Sequence, residues 1–526
     1  MKENQINARL NAVESIMEND SLREFLERKM AGLPDLERLL SRIHAGRLPP
    51  KDFLRVIEGF NTVYELLSGL NENFSEETNG VNPKSKLFHE MLGRTPNLEE
   101  CLPEWSNAFN WNEAKVNNLL IPEPGFDPDF DESINIIKGL EEELQDKLRK
   151  YRREYRSQEI CFRDSGKEVY LIEVPTKVKG IPKSWQQMAA TAKVKRYWSP
   201  EVKILVRSLL EAKERHKLVS ANVLNKLYSR FDQFYKHWLG AVKVVAGIDC
   251  LVSMAKTSLS LGFPKCRPEI LSSSETQVID FEELRHPCFD ESKAEFIPND
   301  VQLGGKLHAN LNLLTGANAA GKSTVLRMTC IAVIMAQIGC YVPAKQARLT
   351  PIDRIMTRLG AMDNIFAGKS TFFVELSETK RMLSEATPRT LVVLDELGRG
   401  GSSSDGFAIA ECVPHHLAAL VGCLGIFAPH YGTLYGSFEK HPDVSAKQMA
   451  ILVDDKGSRK VTFLYKLIDG TSPGSFGMHV ATMCGIDSAI VDAAEVAAQE
   501  YEHTSKMKRL LEVSGSKSAS LVPLGL

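Results

Sequence analysis

The stretch LNLLTGANAAGKSTVLRMTCIAVIMAQIG (Leu311–Gly339) restricts the fold more than any other part of the 526-residue chain. A short apolar run leads into a Gly-rich loop, and the loop leads into a helical run. Gly316, Gly321, Lys322 and Ser323 match G-x-x-x-x-G-K-[ST] in the strand–loop–helix setting that this pattern requires. Such a loop aims backbone N–H groups at one point, with the positive end of a helix behind them, and that arrangement binds phosphate. From about Gly262 onward, short apolar runs (LNLLTG, TLVVLDE, VGCLGIF) alternate with helical segments. The alternation predicts a largely parallel sheet covered by helices.

Chemistry attaches to these runs. Lys322 is expected to hold β- and γ-phosphates as a point charge, with Thr324 beside it, and Ser323 to ligate Mg²⁺. TLVVLDE supplies the partner strand: Asp395 at its end holds Mg²⁺ through water, and Glu396 orients or deprotonates the attacking water. VGCLGIF is predicted to lie beside that strand, which would point His430 at the γ-phosphate. A capping or surface role for His430 stays open. A second segment, AGKST (Ala367–Thr371), mimics the loop, but Asp363, followed by Asn364, stands where the leading glycine belongs. No phosphate loop is expected there.

Length alone suggests about three domains. Residues 1–131 read as a bundle of helices with i, i+3, i+4 apolar spacing. Residues 132–215 read as an arm of two long helices with a small β tip. Ile137, Leu140, Leu144, Leu148, Tyr151 and Tyr155 form the seam of the first helix. Leu205, Leu209, Ala212, Val219, Val223 and Phe234 mark the second, and ICFRDSGKEVYLIEVPTKV between them reads as a hairpin. Helices return over 216–265, the α/β region spans 266–500, and a tail follows at 501–526. The predicted class is α + α/β.

The formal net charge is −2, yet between Lys147 and Lys217 there are 19 Lys and Arg against 8 Asp and Glu. Aromatic residues interleave with Lys193, Lys195 and Arg196 in KVKRYWSP, which fits contact with a nucleic-acid backbone; a solvated helix face is the alternative. The ten cysteines are scattered, without a CxxC pair or a Cys/His cluster at zinc spacing, which fits a reducing compartment and buried thiols. The charged, helical start does not resemble a signal peptide, and the longest apolar candidate, Thr329–Ala344, is too short to span a bilayer. The expectation is a soluble intracellular protein without a membrane partner.

TGANAAGKST, CYVPA, STFFVELSET, LDELGRG, APHYGTL and YKLIDGTSPGSFGMHVA follow one another in an order that resembles the MutS family of DNA mismatch-repair ATPases. LPDLERLLSRIHAG, LRVIEGF and WLGAVKVVAGIDCLVSMA extend the resemblance over nearly the whole chain, closest to the branch of the sixth eukaryotic homologue. It implies a helical lever and clamp region followed by a P-loop ATPase domain of ABC type, with ATP and Mg²⁺ as cofactors. It further implies that Asn318 lies near the γ-phosphate, that Phe296 and Ile297 contact adenine with Tyr465 stacking opposite, and that His430 senses the γ-phosphate. Ser370, inside the imitation loop, matches a serine presented to the partner's nucleotide. The implied partners are the second eukaryotic MutS homologue in a heterodimer, double-stranded DNA and a MutL-type protein. The implied compartment is the nucleus, and 474–500 would serve dimerisation.

Three departures from the family pattern stand out. Pro429 replaces a usual threonine, removing a hydroxyl and a backbone N–H and restricting Ala428 to extended geometry. Gly401 replaces the threonine after Gly-Arg-Gly, which is expected to loosen that loop. The chain also begins within the lever region, ahead of which the family carries a mismatch-reading domain. Two other readings follow: an ATP-binding dimerisation module with impaired hydrolysis, and another ABC-type DNA-maintenance ATPase. The second fits less well, because the loop sits at Gly316 and KSTFFVEL stands at the signature position.

Overall fold

The computed structural model describes residues 2–75, 84, 86–117, 119–166, 168–272, 276–289, 295–360, 371–453, 461–472, 474 and 476–500. The chain forms two compact units. One comprises Ser21–Val81 and Phe88–Cys250; the other comprises Met1–Asp20, Asn82–Leu87 and Leu251–Leu526.

The first unit is mostly helical. Two of its long helices, Pro128–Glu154 and Pro200–Asp232, begin alike, with Pro in the first turn and a side-chain cap. Asp127 accepts N–H bonds from Asp129 and Phe130, and Ser199 accepts one from Val202. Pro fits there because the first helical N–H groups have no partner within the helix. Tyr151 Oη and Ser199 Oγ, 2.8 Å apart, tie one helix to the start of the other. Leu144, Leu148 and Tyr151 pack with Val202, Val206 and Leu209, and Ile137, Leu140 and Tyr155 line the edge of the cluster. Between the helices the chain forms a four-stranded antiparallel sheet, in spatial order Cys161–Ser165, Glu168–Pro175, Val194–Trp198, Gln186–Ala190. The alternating pattern around Ser165-Gly166 predicts only the first hairpin of this sheet.

The second unit is built on a six-stranded sheet. In chain order its strands are β1 (Leu311–Thr315), β2 (Arg354–Arg358), β3 (Thr390–Asp395), β4 (Leu424–Ala428), β5 (Val444–Val453) and β6 (Val461–Asp469). Their spatial order is β2-β3-β4-β1-β5-β6, with every pairing parallel except β5–β6. Central strands buried on both faces read as continuous apolar runs. Leu311 and Leu313 of β1, with Val392 and Leu394 of β3, pack against Met382, Ala410 and Val413. Leu314, Leu391 and Val393 face the opposite way, toward the core that holds Val325, Leu326 and Val333. Those three lie on α1 (Lys322–Ile338). A smaller sheet of Glu269–Ile270, Gln346–Leu349, Val278–Leu284 and Asn299–Gly304 supplies Ile279, Phe281, Leu303 and Leu349 to the same core.

The opening helix, Glu3–Glu18, does not belong with the helical bundle: Ile6 and Leu10 are fully buried in the core around α1. Arg9 donates to the carbonyls of Gln337 and Ile338 at 3.3 and 3.1 Å, placing a cation on the negative end of α1. Thr329–Ala344 is also not the strongest apolar segment. Tyr235–Ser260 is long and apolar enough to cross a membrane by composition, but Trp238, Ala241, Ile248 and Ala255 are buried as in a core helix.

Candidate active site

The loop between β1 and α1 bends through three residues with positive φ: Gly316 at 144°, Ala319 at 66° and Gly321 at 99°. Glycine adopts such angles without strain, whereas Ala319 is held there by its surroundings. Lys322 donates to the Gly316 carbonyl at 2.5 Å and approaches that of Ala317 at 3.5 Å. Burial pulls its ammonium below the usual lysine range, and the Glu396 and Asp395 carboxylates oppose that shift. Asn318 and Thr324 are exposed on the rim of the loop.

Ser323 Oγ donates to Asp395 Oδ2 at 2.8 Å. Burial raises the Asp395 pKa, Ser323 lowers it, and Glu396 raises it further. A hydroxyl and a carboxylate this close are the hard oxygen donors that suit Mg²⁺. Asp395 ends β3, but β3 is not the neighbour of β1, because β4 lies between them. Asp395 pairs with Ala428 of β4, so Asp395 and Glu396 leave the sheet next to the segment that runs from Ala428 into Pro429 and His430. Ligand sites of open α/β sheets lie at such strand ends.

Glu396 has a left-handed backbone, φ 55°, and donates its N–H to Ala428 O at 2.8 Å. Its carboxylate pairs with Arg399. Pro429 is buried directly after β4, where Ala428 is already extended as a residue before proline must be. The proline therefore leaves the strand register intact. His430 is exposed, its ring edge-on to Tyr431 at 5.7 Å between centroids. Tyr431 Oη donates to Gly398 O at 3.1 Å. Gly398 and Gly406 pass so close that a Cβ on Gly406 would meet Gly398 O at 2.2 Å, and only glycine fits.

Two of the residues expected at the adenine, Ile297 and Tyr465, are joined through Asn299. Asn299 is buried; its Nδ2 donates to Ile297 O and Tyr465 O, both at 3.0 Å, and its Oδ1 accepts the Leu467 N–H at 2.5 Å. The Ile297 and Tyr465 backbones are thus stapled to one side chain. Phe296 packs edge-to-face on Phe289, and Tyr465, φ 53°, lies beside Gly321. In the sequence, Asn299 follows a proline and reads as a turn former.

Ser370 and the rest of the imitation loop lie outside the described residues. The DNA-backbone candidates all belong to the helical unit. Lys193, in the bend before the strand Val194–Trp198, and Lys195 on it are exposed, whereas strand alternation turns Arg196 to the other face, where it donates to Glu173 at 2.9 Å. Arg196 is therefore already paired.

A Gly-rich loop on a central parallel strand, with its Lys and Ser facing an acidic strand end, defines a phosphate-loop nucleotide-binding protein. Models of MutS domain III and MutS domain V match residues 1–255 and 312–502, and the chain belongs to the MutS family. It is 50% identical over 519 residues to the DNA mismatch repair protein MSH6 of Saccharomyces cerevisiae, covering 96% of this chain and 41% of that protein. It is 35% identical to Msh6 of Homo sapiens, over 96% of this chain and 40% of that one. With the MSH3 protein of Cryptococcus neoformans it shares 33% identity over 94% of this chain and 41% of that one. The chain spans about two fifths of the length of these relatives.

Proposed function

We propose that this chain is a MutS-type mismatch-repair subunit that binds ATP with Mg²⁺ and hydrolyses it to ADP and phosphate. The observation that carries this reading is the 2.8 Å bond between Ser323 and Asp395, which joins the phosphate loop to the acidic strand end. Lys322 holds the phosphate oxygens, and Glu396 takes a proton from water as its oxygen attacks the γ-phosphorus and the bond to the bridging oxygen breaks. Ser323 and Asp395 would hold Mg²⁺, which would supply positive charge against the phosphate oxygens. Asn318 and His430 approach the γ-phosphate. Phe296, Ile297 and Tyr465 take the adenine.

The site is completed in a heterodimer with a second MutS homologue, to whose nucleotide Ser370 reaches. Nucleotide state governs the dimer contacts and, through the helical unit, an arm over residues 132–215 that closes on double-stranded DNA. Lys193 and Lys195 are the better backbone contacts, because Arg196 is already paired with Glu173. Docking of a MutL-type protein and work in the nucleus complete the reading.

The test is ATP hydrolysis by the chain mixed with that second homologue, with and without DNA, in parallel with Glu396→Ala and Pro429→Thr. Turnover that Glu396→Ala abolishes and Pro429→Thr leaves unchanged supports an active ATPase. Binding without turnover, restored by the threonine, would make the chain a nucleotide-binding partner only.

A further inference from the structure

The turn that follows Glu396 is gripped from the side by a helix that has no place in the chemistry so far. This helix, α2 (Thr371–Glu385), presents Phe372 and Glu375, three residues apart and so on one face, to the Glu396–Gly401 turn. The Glu375 carboxylate accepts the Gly398 N–H. The Phe372 ring lies over Gly400 and Gly401; a Cβ on Gly401 would stand 3.0 Å from Phe372 Cζ. The glycine that replaces the family's threonine therefore admits an aromatic ring, and the turn is held where looseness was expected.

Glu375 is 4% exposed, and a buried carboxylate is costly unless it is paired and hydrogen-bonded. Arg358, 7% exposed at the end of β2, lies 3.8 Å from Glu375 and 3.3 Å from Glu378. Gly398 is held on both sides, its N–H by Glu375 and its carbonyl by Tyr431 Oη. Glu396 is fixed on its other side by its N–H bond to Ala428. With one anchor before it and two after it, the direction in which the Glu396 side chain leaves the backbone is set.

We propose that Glu375 is a positioning residue for ATP hydrolysis, holding the Gly398 amide so that Glu396 meets the attacking water, with Phe372 and Tyr431 as its supports. The proposal rests on the ATPase reading. It makes the rate of the chemical step depend on where α2 lies, while nucleotide binding at the phosphate loop does not.

Steady-state hydrolysis and titration with a fluorescent ATP analogue, on the full chain with its MutS-homologue partner, separate the possibilities. Glu375→Ala lowers kcat about 10- to 100-fold, the scale of a misplaced catalytic group. KM and analogue affinity stay within about twofold of wild type, since the phosphate contacts are untouched. Glu375→Gln keeps an acceptor for Gly398 and recovers most of the rate. Tyr431→Phe, a milder change, lowers kcat several-fold at unchanged KM and keeps the proposal testable if Glu375→Ala does not fold. Wild-type kcat in both Glu375→Ala and Tyr431→Phe, a rise in KM in step with the loss of rate, or a Gln variant as slow as the Ala variant would overturn it. Wild-type turnover that survives Glu396→Ala instead removes the ATPase reading, and the positioning role with it.

Discussion

Ser323 Oγ donates a hydrogen bond to Asp395 Oδ2 at 2.8 Å, although β4 lies in the sheet between β3, which ends in Asp395, and β1, which leads into α1. The two side chains act as one unit. Ser323→Ala and Asp395→Asn each lose a charge-assisted contact, a class worth about 1.5–3 kcal/mol, so each is expected to weaken Mg²⁺-dependent ATP binding about 10- to 100-fold. Groups in one network are not additive. The double variant should therefore bind only slightly worse than the worse single variant in a titration with ATP and Mg²⁺. Full additivity would separate the pair.

The same carboxylate gives stability a pH dependence. Burial holds the Asp395 pKa above its unfolded value near 3.8. The folded state then binds more protons than the unfolded state between the two values. The associated stability is fully present below the unfolded pKa and is lost as pH rises through the folded one. Asp395→Asn should flatten this segment of the profile in urea unfolding measured across acidic pH. A profile as steep as wild type would assign the effect to other groups.

Asn299 joins two backbones with three hydrogen bonds. Asn299→Leu leaves those buried backbone groups unpaired, and a loss of about 2–4 kcal/mol in unfolding free energy is expected. Nucleotide affinity should fall, because Ile297 and Tyr465 separate, while the rate at saturating ATP is kept. Tight ATP binding by a folded Asn299→Leu chain would detach Asn299 from the adenine site.

Arg9 places its guanidinium on the last carbonyls of α1, whose first turn carries Lys322 and Ser323. Arg9→Ala should cost about 1 kcal/mol, the usual worth of a cation at a helix C-terminus. The midpoint of chemical denaturation reads this directly. An unchanged midpoint would mean that the apolar contacts of the Glu3–Glu18 helix suffice alone.

What could be read beforehand follows from what the chemistry tolerates. Phosphate binding needs glycines, a lysine and a hydroxyl at fixed spacing, so Gly316 to Ser323 could be found in the sequence. Asp395 and Glu396 could be found because two acids end an apolar strand downstream of that loop. The insertion of β4 between β1 and β3 was hidden, since spacing along the chain does not encode which parallel strands are neighbours. Asn299 and Glu375 were hidden for another reason. An asparagine after a proline and a glutamate on a helix are ordinary on a surface, and only the fold buries them against backbone groups. Arg196 shows the converse: a cation in a basic run became a strand residue facing Glu173.

The nucleotide-binding unit is discontinuous, and this bears on how it is made. The Glu3–Glu18 helix leaves the ribosome before all of Ser21–Val81 and Phe88–Cys250, while α1 and the sheets that bury Ile6 and Leu10 come after them. At about 5–20 residues per second, an apolar helix face waits uncovered for tens of seconds while the helical unit completes itself. Synthesis thus imposes an order of folding, and in that interval the waiting segment is a site where chaperones or aggregation compete for the nascent chain.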